Sequence, residues 1–169
     1  MMKRGFTLIE LLVVIVILGI LIGLGSKGLR AAKIHAKKVQ ARVEMSSIEL
    51  AVKAYRNQYG KLPAEASLQG TSDISDSESL SRETVAILTA QNTTENPAEI
   101  IFLEPQGSAR DGIFTDPWGV QYLIALDTDY DGQVQIQNHT LRRNVAVVST
   151  GLYRLNDASN TNDLIISWQ

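Results

Sequence analysis

The chain segment Asp127-Thr128-Asp129-Tyr130-Asp131-Gly132 places three carboxylates at alternate positions ahead of a glycine. Acids spaced this way can turn their oxygens toward one point, and the glycine lets the backbone bend around it. Hard oxygen donors in such a turn suit calcium. An EF-hand would need glutamate at the twelfth position, which here is Asn138, and helices on both flanks, where this chain reads as strand. The EF-hand is therefore excluded. Two readings stay open: a calcium turn of another kind, or a hairpin turn without an ion. Other chemistry has little material. The chain has no cysteine, which excludes disulfides, zinc-thiolate sites and cysteine nucleophiles. Its two histidines are isolated: His35 reads as an exposed helix residue and His139 as a turn residue. A metalloenzyme built on Asp127, Asp129 and Asp131 would lack an accompanying histidine or nucleophile, so no catalytic residues are expected.

The second candidate is one acid in an apolar run. After a short basic start with Lys3 and Arg4, only Thr7 and Glu10 are polar between Phe6 and Gly25. Such a run, as helix, spans roughly 30 Å, enough to cross the hydrocarbon core of a bilayer. A cleaved secretory signal has an apolar stretch of about 7–15 residues and then a small-residue cut site. This run is longer and no such site follows it. A plain anchor has no use for a carboxylate, which costs up to about 2.5–3.5 kcal/mol at mid-membrane. Glu10 becomes tolerable there if assembly brings it a cation. Gly19 and Gly23 form a G-x-x-x-G, read either as close helix packing or as the ordinary glycine content of membrane helices. Gly25 and Gly28 weaken the helix beyond it.

The string Gly5-Phe6-Thr7-Leu8-Ile9-Glu10-Leu11-Leu12-Val13-Val14 resembles the class III signal of type IV prepilins and of the pseudopilins of type II secretion. The resemblance implies cleavage by a prepilin peptidase between Gly5 and Phe6 and N-methylation of Phe6. It further implies that Glu10 pairs with the N-terminal amine of a neighbouring subunit, so that Phe6 and Glu10 set the register of a filament.

These residues must be positioned by a long helix and a sheet. Residues 29–59 read as helix, because Ala41, Met45, Ile48, Val52, Tyr55 and Tyr59 recur at spacings of three and four and share one face. Gly60 ends it, and Pro63 opposes its continuation. One helix from Phe6 to Tyr59 would span roughly 81 Å at 1.5 Å per residue. Residues 26–61 carry nine Lys/Arg against two acids, and residues 62–169 carry five Arg against fifteen acids, within a net charge of −2. The basic set Lys27, Arg30, Lys33, Lys37, Lys38 and Arg42 reads as a solvated or lipid-facing surface, or as a partner for the acidic half of neighbouring subunits. Counting Lys and Arg near the membrane favours a cytoplasmic C-terminal side, whereas the resemblance implies that this side lies outside.

Residues 64–80 read as loop, residues 81–91 as a short helix capped by Ser81, and Ile100 to Leu103 as a short buried element. Tyr122 to Leu126 reads as a strand with Gln133 to Gln137 as its partner, Arg142 to Ser149 as a further strand, residues 150–162 as loop, and residues 164–168 as a closing strand. Asp116-Pro117-Trp118-Gly119-Val120-Gln121-Tyr122 resembles a motif of the major, G-type pseudopilin, and Tyr55 to Pro63 also resembles pseudopilin sequence. In that family the last loop binds calcium. The resemblance implies Asp157 and Asp163 as carboxylate ligands, with Asn160 and backbone carbonyls. The family's Asp-Gly after Ser-x-Gly is replaced here by Leu152, Tyr153 and Arg154, and the alternative is a polar loop that caps itself.

The expected fold is α+β: a long N-terminal helix, half membrane and half amphipathic, packed on a small antiparallel sheet. The expected regions are a leader at 1–5, an assembly helix at 6–28, an amphipathic helix at 29–60, a variable region at 61–113 and a sheet region with acidic loops at 114–169. The resemblance implies a single-pass protein of the bacterial inner membrane with a periplasmic head. Its role would be a pseudopilus subunit of a type II secretion system, or alternatively a type IV pilin for adhesion, motility or DNA uptake. The implied partners are copies of itself, prepilin peptidase, other pseudopilins and the secretion platform, with no nucleic acid in the pseudopilin reading.

Overall fold

A computed structural model of the chain describes residues 6–70, 78–104, 113–136, 139–155 and 164–168, with the side chains of 22–28, 78–80 and 154–155 outside that description. The chain divides into two compact units, Met1–Lys37 and Lys38–Gln169. Helix α1 comprises Leu8–Tyr59. In the first unit every described side chain is exposed. Among the described residues, no helix is long and apolar enough to cross a membrane. The described apolar side chains that open α1 end at Leu21, and Leu8 to Leu21 covers roughly 21 Å at 1.5 Å per residue.

In the second unit the expected face of α1 is the core. Ala41, Met45, Ile48, Val52 and Tyr55 are buried, with Tyr59 packed against them. Gly60 closes the helix in a left-handed conformation (φ +71°), with its N–H donating to the Arg56 carbonyl at 2.8 Å. Helix α2, Glu78–Leu88, adds Val85, Ile87 and Leu88 to the same core.

The sheet consists of β1 (Leu123–Leu126), β4 (Val145–Ser149) and β5 (Ile165–Ile166), in the order β1-β4-β5 and antiparallel throughout. Leu123 faces Val148, Leu126 faces Val145, and Val148 faces Ile166. A separate hairpin joins β2 (Val134–Ile136) to β3 (His139–Leu141). One face of the sheet, with Ile124, Leu126, Val145 and Val147, packs in the α1–α2 core. The other, with Leu123, Ala125, Ala146 and Val148, is covered by Val134 and Ile136 of the hairpin. This is the expected α+β class: the second half of a long helix on a small antiparallel sheet.

Five expectations change. The partner of β1 is β4, not β2. Both β1 and β4 are apolar at nearly every position and buried throughout, so each needs cover on two faces; the β2–β3 hairpin supplies the second cover. Ser81 is not a cap, because α2 begins at Glu78, and the Ser81 hydroxyl accepts the Ile124 N–H at 2.8 Å. Residues 151–155 are not loop but a short helix, α3 (Gly151–Leu155). Ile100 to Leu103 is not buried as a unit. Phe102 and Leu103 donate to the Leu88 carbonyl, while Ile101 points outward and is 60% exposed. His139 lies in β3, against the Trp168 ring, and not in a turn.

Candidate functional site

At the N-terminal end, Gly5 lies outside the described residues and Phe6 is 79% exposed. Glu10 bonds back to the start of its own helix. Its Oε2 accepts the Thr7 N–H at 2.9 Å and the Thr7 hydroxyl at 2.7 Å, while the Glu10 N–H donates to Thr7 Oγ1 at 3.3 Å. This reciprocal pair is a capping box. Its signal, Thr followed three residues later by Glu before an apolar run, stands in the sequence but is masked there by the more conspicuous charge-in-membrane problem. The box keeps the carboxylate oxygen hydrogen-bonded where it would otherwise be bare. Beyond it, Leu8, Ile9 and Leu11 to Ile15 are all exposed apolar side chains, a surface larger than a water-soluble monomer ordinarily presents.

Residues 1–26 match the family model of the prokaryotic N-terminal methylation motif. This makes the chain type IV prepilin-like at its N-terminus, and the motif points to a structural subunit rather than an enzyme. No match was found among curated proteins or among solved structures.

In the second unit, the acidic turn between β1 and β2 brings its three carboxylates together. One carboxylate oxygen from each of Asp127, Asp129 and Asp131 lies within 4.8 Å of the other two. Asp127 is 0% exposed, whereas Asp129 and Asp131 are exposed. Tyr130 (φ +63°) and Gly132 (φ +81°) take left-handed conformations that fold the turn back. Asp127 Oδ2 accepts the Gly132 N–H at 3.1 Å and the Asn144 side-chain amide at 2.7 Å, and Asp127 N–H donates to the Asn144 carbonyl at 3.1 Å. Asp127 Oδ1 is buried and accepts no hydrogen bond among the described residues. The oxygen-only donor set and the orphaned buried oxygen both fit a hard cation. Asp157, Asn160 and Asp163 lie outside the described residues.

The Asp-Pro-Trp-Gly stretch does more than turn the chain. A bridge between Thr115 and Gln121 closes the turn, and the buried Asp116 carboxylate fills it. Asp116 Oδ1 accepts the Trp118 and Val120 N–H groups at 2.9 and 3.0 Å. Its Oδ2 accepts the Ser149 hydroxyl at 2.6 Å and the Gly151 N–H at 3.0 Å. One side chain therefore joins the turn, the end of β4 and the start of α3. Next to it, Tyr122 donates its hydroxyl to Glu44 Oε2 at 2.5 Å, and Gln40 donates to Glu44 Oε1 at 2.8 Å. Burial pushes the Tyr122 phenol well above its ordinary range, and the Glu44 carboxylate reinforces the shift. Neither partnership has a local sequence signal, because Asp116 and Ser149 lie 33 residues apart and Glu44 and Tyr122 lie 78 apart.

Another hub is Asn96, which is fully buried. Its amide donates to the Ile87 and Ile100 carbonyls, and its Oδ1 accepts the Tyr59 hydroxyl at 2.7 Å. Tyr55 donates to the Glu95 carbonyl at 2.6 Å, and Lys61 pairs with the Glu95 carboxylate. Burial pushes the Tyr55 phenol up to about 12. The two tyrosine bonds pin Glu95 and Asn96 to the end of α1.

Proposed function

We propose that the chain is the subunit of a type IV pilin-like filament. The match of residues 1–26 to the methylation motif carries this reading. In it, prepilin peptidase cuts between Gly5 and Phe6, and Phe6 is N-methylated. Residues 6–28, counting the apolar sequence beyond Leu21, hold the subunit in the bacterial inner membrane with the second unit in the periplasm. The exposed apolar side chains from Phe6 to Leu21 then pack against other copies, and Glu10 leaves its local cap to pair with the methylated amine of a neighbour. The basic residues Arg30, Lys33 and Arg42 are exposed on α1, which supports contacts with acidic heads of adjacent subunits.

The finer reading is a pseudopilin of a type II secretion system, working with other pseudopilins and the secretion platform. It is supported by the Asp116 to Gly119 turn and by the lack of cysteine for the disulfide that commonly closes pilin heads. Mass spectrometry of the protein recovered from cells with prepilin peptidase tests the first step: the expected N-terminus is methylated Phe6. An N-terminus at Met1, or removal of a longer signal, overturns the reading. Deleting the gene then separates the two kinds of filament, since loss of folded exoprotein secretion identifies the pseudopilin and loss of surface fibres a pilin.

A further inference from the structure

Among the described residues, nothing balances the charge of the acidic turn. Asp127 is fully buried; among the described residues, both hydrogen bonds to its carboxylate fall on Oδ2, and Oδ1 has no partner. The groups that crowd it are two further carboxylates, Asp129 and Asp131. A buried bare oxygen is costly, and a second and third negative charge beside it raise that cost.

We propose that residues 127–132 bind one calcium ion through a carboxylate oxygen from each of Asp127, Asp129 and Asp131, and that the ion fastens the segment following α1 to the sheet. Oxygens that each lie about 2.3–2.6 Å from one calcium are at most about 5 Å apart, and the three observed oxygens lie within 4.8 Å. Asp127 is the buried member of the three, and its carboxylate carries the unpartnered oxygen. Asp129 and Asp131 stand at the exposed mouth, where water completes the shell. Calcium is favoured over magnesium because it accepts irregular oxygen shells, while magnesium demands a near-ideal octahedron and gives up water reluctantly.

The residues between the acids reach outward to residues 62–70. The Thr128 carbonyl accepts the Gly70 N–H at 2.6 Å. The Tyr130 hydroxyl donates to Gln69 Oε1 at 2.6 Å and accepts the Leu62 N–H at 3.3 Å. An ion that fixes positions 127, 129 and 131 therefore also fixes 128 and 130, and through them the chain leaving α1. The inference is independent of the filament reading.

The test is thermal unfolding of the detergent-solubilised full chain, in chelator, in calcium and in magnesium. Calcium at about 100 times its Kd should raise Tm by roughly 5–11 °C. Asp129→Asn and Asp131→Asn, both at exposed positions, should melt like the parent in chelator and lose the calcium shift. Three results overturn the proposal: no shift in 10-fold-stepped calcium up to about 10 mM, a concentration above the weakest extracellular sites; an equal shift with magnesium; or a shift that survives both variants and disappears in Asp163→Ala, which would put the ion in the last loop.

Discussion

Replacing Asp116 should be the most damaging single polar substitution in the second unit. The carboxylate accepts four hydrogen bonds, from Trp118, Val120, Ser149 and Gly151, with no exposure to spare. Each bond to a charged acceptor contributes about 1.5–3 kcal/mol net, and each buried donor left without a partner costs about 1–3 kcal/mol. These terms overlap, and removing the buried charge returns part of its desolvation cost. Asp116→Ala should therefore cost about 3–5 kcal/mol, the cost of a few neutral buried donors left without an acceptor. Against a total stability of about 5–15 kcal/mol, that is a large fraction, and it should lower Tm by roughly 6–20 °C. Asp116→Asn keeps the shape but retains one acceptor oxygen in place of two, so it should fall between the parent and Asp116→Ala. Gly151→Ala probes the same contact from the other side. A Cβ there would lie 2.7 Å from both Asp116 Oδ1 and Trp118 Cβ, so the carboxylate must move, at about 1–3 kcal/mol. The assay is tryptophan fluorescence during heating and urea unfolding of the full chain in detergent. An Asp116→Ala protein melting within about 2 °C of the parent would refute the reasoning, as would an Asn variant with no loss at all.

Other perturbations read different parts of the molecule. Glu83 is pushed up to about 6, first by burial and then by the neighbouring Glu65, with Glu95 contributing. Its folded state binds the proton more tightly than the unfolded chain, so this group adds stability as pH falls from about 6 to 4.5 and removes it as pH rises. Glu83→Gln should thus stabilise the protein at pH 7.5 by at most about 1 kcal/mol after solvent screening, with the difference shrinking toward pH 4.5 in urea titrations; a difference constant with pH would contradict this. Tyr122→Phe strips Glu44 of its buried donor and should cost about 1–3 kcal/mol, seen as a lower urea midpoint with an unchanged slope. At the N-terminus, Thr7→Ala removes the cap, worth about 1 kcal/mol of helix stability, yet keeps the charge and should still assemble. Glu10→Gln keeps a capping acceptor but loses the charge, and should abolish filaments seen by electron microscopy. Normal filaments from Glu10→Gln would mean that the cap, and not the charge, is what the position supplies.

The sequence alone determined what depends on neighbours along the chain. The stripe of Ala41, Met45, Ile48, Val52 and Tyr55 is legible because helix geometry puts spacings of three and four on one face whatever packs there. Gly60 marks the stop because an L side chain resists its backbone angle. The N-terminal signal and the alternating acids of the 127–132 turn are likewise local patterns. Tertiary structure decided what depends on cover from elsewhere. The apolar runs of β1 and β4 could not say which strand pairs with which, since two strands buried on both faces look alike until a hairpin is laid over one of them. Asp116 became a four-bond hub only when β4 and α3 were brought to it. Ser81 became an acceptor for β1 and lost the expected role of cap. Asp127 became a buried carboxylate with one orphaned oxygen only when Asn144, distant in sequence, took the other. Periodicity is a property of one segment; burial and the satisfaction of polar atoms are properties of several segments at once, and only the folded chain defines them.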